Sequence, residues 1–197
     1  MSKNEKRNKF TNPQKSNSKT FILVGILVLA IVAVGAYVAA GKSGSPAGEV
    51  NVGAANYPAQ QAVDFASTAA DTGSGDIVLN LNDIKTKKAT TFSVPGINFT
   101  LANGKAFSSL PLLAYVSPKG NITVATSLCE PCSGTTFHIE GDQLVCNSCG
   151  TRWTLDGLQG VSGGCTKYPP ESVKYTVQSD KLIIKKVDIQ NFKPRTV

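Results

Sequence analysis

The sequence predicts a mainly β protein in which an N-terminal single transmembrane helix and a flexible linker precede a small antiparallel β domain. Three observations lead to this. Residues 20–41 form one uncharged, almost wholly apolar run, and residues 42–75 are rich in Gly, Ser, Ala and Pro. From residue 76 to 197, short apolar stretches of period 2 alternate with turns containing Gly, Pro or Asp, a pattern typical of antiparallel hairpins.

The apolar run is long enough to cross a bilayer once, because about 20 helical residues span the hydrocarbon core. Residues 1–19 hold six Lys or Arg and one acidic residue. Since positive charge stays on the cytoplasmic side, we expect a cytoplasmic tail at 1–19, a membrane anchor at 20–41 and an extracytoplasmic main domain. A cleaved signal peptide, with Val38-Ala39-Ala40 as its cleavage site, is the alternative.

The net charge of +7 is a property of the tail. Residues 20–197 hold 14 basic and 12 acidic residues, so the β domain is close to neutral and nucleic-acid binding is not expected. The sequence contains no set resembling a Ser–His–acid triad and no haem-attachment motif. A non-enzymatic electron-transfer or metal-binding protein is therefore favoured over an enzyme.

The β domain is predicted to be a series of hairpins without an amphipathic helix. One strand begins at Ile77, with apolar residues alternating to Leu81, and another covers Val187–Ile189. Hairpin turns are predicted at Pro95-Gly96, Pro118–Gly120, Glu140–Asp142 and Ser179-Asp180.

All five cysteines lie within 37 residues of the domain, in a metal-binding subdomain at about 126–170. They are the pair Cys129 and Cys132, the pair Cys146 and Cys149, and Cys165 after Gly163-Gly164. Two Cys-x-x-Cys turns joined by a hairpin would bring four thiolates to one ion. We expect Gly134, Gly150, Gly163 and Gly164 to present backbone N–H groups to the sulfurs, and Phe137 and Trp153 to shield them.

Soft thiolates favour iron, an iron–sulfur cluster or zinc. An iron–sulfur cluster or iron is the leading interpretation, and a structural zinc ribbon that binds another protein is the alternative. Two disulfides are a further alternative, since thiols outside the cytoplasm tend to oxidise; a thiol–disulfide exchanger is the last. Three interpretations are open for Cys165: a fifth ligand, a redox partner or a buried free thiol. His138 is expected on the strand face opposite Phe137 and Ile139, towards solvent.

The stretch from Cys129 to Pro170 resembles the FtrD-like family of membrane iron–sulfur proteins. The features that match are Cys129–Cys132, Leu144–Gly150 with 13 residues between Cys132 and Cys146, Trp153, Val161–Cys165 and Pro169-Pro170. The resemblance implies an iron–sulfur or iron centre and a part in ferrous iron uptake, with an iron permease or a redox protein as partner.

The order of motifs is also distantly similar to Rieske domains, which place two ligand pairs on paired loops. Each Rieske pair contains one His, whereas this sequence has Cys132 and Cys149 at the corresponding places. A Rieske or zinc-ribbon-like layout is therefore expected, but not Rieske ligation. All-cysteine ligation would give a cluster a lower potential than mixed His and Cys ligation.

Overall fold

A computed structural model describes residues 50–196. They form short strands with two short helices, as the sequence predicts: mainly antiparallel β structure. The strands are β1 Val63–Asp64, β2 Ala66–Ser67, β3 Ile77–Asn80, β4 Ala89–Thr100, β5 Ala106–Val116, β6 Ile122–Thr126, β7 Phe137–Glu140, β8 Gln143–Cys146, β9 Arg152–Thr154, β10 Gly160–Ser162, β11 Thr176–Gln178 and β12 Lys181–Ile184. The helices are α1 Leu81–Lys87 and α2 Lys186–Ile189.

The predicted membrane anchor at 20–41 and the basic tail at 1–19 lie outside the described residues. Within residues 50–196, no helix is long and apolar enough to span a membrane.

A four-stranded sheet of order β2-β4-β5-β6 lies at the centre of the fold, and β4 and β5 form its long hairpin. The turn predicted at Pro95-Gly96 is wrong, because β4 continues through it. Its register with β5 shifts between Pro95 and Phe99, and Gly96 has a positive φ of 78°. The dipeptide thus forms an irregularity that bends one strand, a common role of Gly within a strand.

The predicted turns at 118–120, 140–142 and 179–180 are confirmed. They join β5 to β6, β7 to β8 and β11 to β12, each pair antiparallel. Gly120 and Gly141 have positive φ there, a conformation that glycine adopts without steric cost. These local signals were sufficient because each hairpin depends on its own turn residues.

Two predicted strand segments are helical instead. The strand from Ile77 ends at Asn80, whose side chain accepts a hydrogen bond from the N–H of Asn82 and so caps α1. Helix α1 then buries Leu81 and Ile84. The segment expected as a strand at Val187–Ile189 belongs to α2, which buries only Ile189. In both segments the apolar residues are spaced so that either a strand or a helix could bury them. The structure adopts the helix, and this is why the prediction of strands is wrong.

The described part of the predicted linker, residues 50–75, packs on the β domain. Strand β1 pairs with β7 and β2 pairs with β4, and Ala55 is buried. The hydroxyl of Tyr57 donates to the carbonyl oxygens of Lys88 and Val116 at 3.0 and 2.8 Å. The composition of this segment predicted a flexible linker. Instead, it forms backbone hydrogen bonds with sheet edges that would otherwise be unpaired.

Strand β5 supplies residues to two hydrophobic cores because both of its faces are buried. Leu112 and Ala114 pack in the larger core, with β3 and β12. Leu113 and Tyr115 pack in the smaller core, beneath the five-stranded antiparallel sheet of order β1-β7-β8-β9-β10. The Tyr115 hydroxyl donates to the carbonyl oxygen of Leu155 at 2.9 Å. The cysteines gather at the smaller core.

Candidate metal centre

The first Cys-x-x-Cys pair lies on the loop between β6 and β7. Cys129 is fully buried, and its N–H donates to the carbonyl oxygen of Gly134 at 2.8 Å. A 3-10 turn over Glu130–Cys132 follows, and Ser133 closes it in the left-handed region at φ 57°. The N–H of Gly134 points to the Cys132 sulfur. The loop therefore turns both thiols to one side, as a metal knuckle requires.

Gly134 is needed for close approach to the second pair. A Cβ at this position would lie 2.8 Å from Sγ of Cys146 and 2.8 Å from Oγ of Ser148. Any side chain would therefore push the two knuckles apart. The sequence predicted that Gly134 supports the site through its N–H. The structure shows a second reason for glycine here, because no side chain would fit.

The second pair lies where β8 ends. The N–H of Cys146 donates to the carbonyl oxygen of Thr151 at 3.0 Å, and the N–H of Gly150 donates to the carbonyl oxygen of Cys146 at 2.9 Å. The N–H groups of Ser148 and Cys149 point to the sulfur of Cys146. Gly150, expected to bond a sulfur, instead closes the turn, at φ 69°.

Cys165 joins the two knuckles from a third loop. It is 7% exposed, and its N–H donates to Oγ1 of Thr151 at 3.2 Å. Gly163, at φ 104°, approaches the same residue so closely that a Cβ there would lie 2.6 Å from Cα of Thr151. The neighbouring Gly164 has open space at its Cβ position. The loop is thus attached to the second knuckle.

The five sulfurs form one cluster, in which all five cysteines are free thiols. The Sγ–Sγ distances are 3.7 Å for Cys132 and Cys146, 3.9 Å for Cys129 and Cys149, and 3.9 Å for Cys149 and Cys165. Disulfide sulfurs lie about 2.05 Å apart. Four thiolates in a tetrahedron at about 2.3 Å from an ion lie about 3.8 Å from one another, so the spacing and the soft donors both fit a metal.

Burial and mutual hydrogen bonding separate the pKa values of the thiols. The hydrogen bond with Cys129, together with N–H groups of its own knuckle, lowers the pKa of Cys146 to about 5 despite its burial. The same contact and burial raise the pKa of Cys129. Burial raises the pKa of Cys132 to about 12. Of these two partners, Cys146 is therefore the one favoured as a thiolate, and Cys129 is the one favoured as a thiol.

Cys149 is the exposed member of the cluster. Burial of its sulfur acts to raise its pKa, but hydrogen bonds with the hydroxyl and N–H of Thr151 outweigh this and lower the pKa. Oγ1 of Thr151 lies 3.2 Å from Sγ of Cys149. The cluster thus has a solvent-facing edge at a thiol that readily loses its proton.

Phe137 and Trp153 lie against the cluster from the core side. They are 4% and 0% exposed and belong to the same hydrophobic core as Cys129, Cys146 and Cys165. The indole N–H of Trp153 donates to the carbonyl oxygen of Thr166 at 3.2 Å. Both rings therefore limit water access from below, and Trp153 also holds the chain that follows Cys165.

His138 lies on the face of β7 opposite Phe137 and Ile139, as expected, but it is half-buried and not directed freely into solvent. Its Nδ1 lies 2.6 Å from Oδ1 of Asn147 and its Nε2 lies 3.2 Å from Oε1 of Glu140. Its ring is thus engaged away from the sulfurs. The hydrogen bond with Arg152 and that with His138 lower the pKa of Glu140.

Sequence reasoning missed two residues that position the cluster. Thr151 contacts three of the cysteines, although nothing about a threonine after Cys-Gly distinguishes it from an ordinary turn residue. Glu130, inside the first knuckle, is 3% exposed and pairs with Arg195 near the end of the described chain. An acid between two ligands was the available signal, but its partner is remote in sequence.

The family model described as "Membrane iron-sulfur containing protein FtrD-like" matches residues 97–195. The match spans half of the chain and includes all five cysteines. The chain belongs to the FtrD-like family. No curated protein and no solved structure matches it, so the distant Rieske-like layout remains a prediction. In this FtrD-like protein, the family description and the clustered thiols agree on a metal or iron–sulfur centre.

Proposed function

We propose that this FtrD-like protein is a membrane-anchored, extracytoplasmic electron carrier whose thiol cluster holds iron or an iron–sulfur cluster and serves ferrous iron uptake. The observation that carries the proposal is that five free thiols from three loops converge next to the buried rings of Phe137 and Trp153. Cys129, Cys132, Cys146 and Cys149, with Cys165, would hold the centre. Bound iron would supply a one-electron redox step.

The residues around the cluster support this role. Cys129, Cys146 and Cys165 are buried, whereas Cys149 is exposed and Cys132 is partly exposed, so the centre has a buried side and a solvent-facing side. An electron carrier needs a partner to approach one edge while the remaining sulfurs stay shielded from water, because solvent exposure and hydrogen bonds to sulfur set the potential.

The test is metal and redox analysis of the full-length protein purified without oxygen. We expect iron, with or without acid-labile sulfide, and a reversible one-electron wave in voltammetry. Sulfide distinguishes a cluster from a single iron ion. Cys129→Ser should abolish the wave, whereas Asn147→Ala, in the second knuckle but without a thiol, should keep it. Protein from iron-replete cells that contains zinc and shows no wave would contradict the proposal.

The sulfur spacing favours a second candidate, a structural zinc site. Distances of 3.7–3.9 Å match the edge of a tetrahedron of thiolates around one ion, about 3.8 Å. Zinc has no redox step, so the domain would then stabilise a β surface for protein binding. Stoichiometric zinc in native protein, with thermal unfolding shifted downward by a chelator, would support this candidate.

The membrane anchor and its orientation are part of the same proposal. The basic tail and the apolar run at 20–41 support a cytoplasmic N-terminus. Deleting residues 20–41 should release the protein from membranes, and a C-terminal phosphatase fusion should be active while a C-terminal cytoplasmic reporter is silent. The opposite reporter pattern would overturn the orientation.

A role in iron uptake is tested in cells. Cells lacking the protein should take up less radioactive ferrous iron, and Cys129→Ser should fail to restore uptake while Asn147→Ala restores it. Crosslinking from the Cys149 edge should capture an iron permease or a redox protein. Uptake that is unchanged without the protein would contradict this part of the proposal.

A further inference from the structure

The double Cys-x-x-Cys pattern and the closest group of sulfurs are not the same four residues. Atoms of Cys129, Cys132, Cys149 and Cys165 all lie within 4.8 Å of one another. Cys146 is outside that group, yet its sulfur lies 3.7 Å from Sγ of Cys132. Two sets of four therefore exist, and they share Cys129, Cys132 and Cys149.

We infer that Cys146 and Cys165 are alternative fourth ligands of one metal ion that Cys129, Cys132 and Cys149 hold in common. The inference deepens the proposed function, and it rests on that function only in requiring that the cluster bind a metal. It gives the fifth thiol a specific role. It also implies that Cys146 or Cys165 can be removed singly while the site still binds metal.

Thr151 positions both alternative ligands. Its carbonyl oxygen accepts from the N–H of Cys146 at 3.0 Å, and its Oγ1 accepts from the N–H of Cys165 at 3.2 Å. Thr151 is fully buried. One buried residue thus holds the backbone of both candidate ligands beside the other three cysteines.

Three further contacts hold the loop that carries Cys165 in place. Gly163 packs on Cα of Thr151 and Gly160 packs on Thr166, each so closely that a Cβ would lie within 2.6–2.7 Å of the neighbour. The indole of Trp153 bonds the carbonyl oxygen of Thr166. These contacts hold Cys165 beside the other four thiols.

Exchange between the two sets is balanced in atoms and electrons. On exchange, the bond from the ion to Sγ of Cys165 would form as the bond to Sγ of Cys146 breaks. The proton of Cys165 would go to solvent, and Cys146 would be released as a thiolate. No oxidant or reductant is needed. The exchange would move the fourth bond from the buried end of β8 to buried Cys165, which follows the exposed residues 161–164.

The experiment uses Co²⁺ as the probe, because its thiolate complexes absorb visibly and it needs no assembly of iron or sulfide. The full chain is stripped of metal and titrated in a reducing buffer. Cys146→Ser and Cys165→Ser should each bind one Co²⁺ with affinity within about tenfold of the unaltered protein. The double variant and Cys129→Ser should each lose about 100-fold or more, as loss of a ligand exceeds the cost of losing a supporting group.

Four results would overturn the inference. If Cys146→Ser alone is as damaging as Cys129→Ser, the double Cys-x-x-Cys set is obligatory. If Cys165→Ser alone is that damaging, Cys165 is an obligatory ligand. If the double variant binds like the unaltered protein, or if the unaltered protein binds no Co²⁺, neither residue completes a site.

Folding and function are separated in the same series. Each position is tested as a Cys→Ser and as a Cys→Ala variant, and circular dichroism of the metal-free proteins shows which variants keep their structure. Where one of the two is unfolded, the Co²⁺ affinity of the folded one is used. Native protein devoid of iron would defeat the proposed electron carrier and leave the Co²⁺ pattern intact. Iron with a fixed four-cysteine set would defeat only the exchange.

Discussion

Arg195 donates two hydrogen bonds to the buried carboxylate of Glu130, 65 residues away along the chain. Its backbone N–H reaches Oε1 at 2.9 Å and its Nε reaches Oε2 at 2.7 Å. Its Nη2 also donates to the carbonyl oxygen of Pro169 at 2.6 Å. Because Glu130 lies between Cys129 and Cys132, this contact ties the C-terminal segment to the first knuckle.

Replacing Arg195 with Gln should destabilise the protein, since it leaves the Glu130 carboxylate buried without its cation. Loss of one partner of a buried pair costs about 3–5 kcal/mol, and we expect about 2–3 kcal/mol here because the Arg195 side chain is 35% exposed. Urea unfolding of the full chain measures the change in the free energy of unfolding.

Lys193→Gln is the matched control for this pair. It removes the same charge from an exposed position two residues away, where surface substitutions change stability by about 0.5 kcal/mol or less. Adding Glu130→Gln to Arg195→Gln should recover part of the loss. Equal effects of Arg195→Gln and Lys193→Gln would show that the buried pair contributes nothing specific.

Gly163→Ala should loosen the Cys165 loop and weaken metal binding. The substitution places a Cβ 2.6 Å from Cα of Thr151 at a backbone φ of 104°, a conformation that costs other residues about 1–3 kcal/mol. Thermal unfolding with and without Co²⁺ measures this. Gly164→Ala is the control, because its Cβ would meet nothing within 4 Å. Indistinguishable melting of the two variants would refute the close packing.

Thr151→Val should lower the midpoint potential of the iron-loaded protein. Its hydroxyl lies 3.2 Å from Sγ of Cys149, and a hydrogen bond to a thiolate stabilises the reduced, more negative form. A net hydrogen bond of about 1 kcal/mol corresponds to about 40 mV for one electron. Voltammetry measures the shift, and Thr151→Ser should preserve the potential. An unchanged or higher potential in Thr151→Val would contradict this role.

Cys149 should be the first thiol alkylated in the metal-free protein. It is exposed, and hydrogen bonds with Thr151 lower its pKa below the ordinary thiol value. Because the thiolate is the nucleophile, a lowered pKa raises the reactive fraction at pH 7, where an ordinary thiol of pKa about 8.5 is mostly protonated. Cys146 has a lowered pKa of about 5 as well, but it is buried. Iodoacetamide labelling followed by peptide mapping measures the order, and earlier modification of any of the other four cysteines would contradict it.

The hairpin turns and the two Cys-x-x-Cys pairs could be predicted from sequence because each depends on residues within a few positions. Gly141 makes its turn by its own φ, and Gly134 lies directly after the first pair. The bend at Pro95 and the helix at Leu81 could not be predicted this way. In both, pairing or burial by distant strands selected one of two conformations that the local residues allow.

Local pattern was enough to predict a mainly β protein, a tail that carries most of the net positive charge, and cysteines spaced for a metal. Which sulfurs meet depends on tertiary contacts. Cys165 reaches the cluster because Gly163 can pack directly on Thr151, and Glu130 can be buried because Arg195 returns to it. Both depend on close approach and charge pairing between segments far apart in sequence, and neither leaves a periodic signal in the chain.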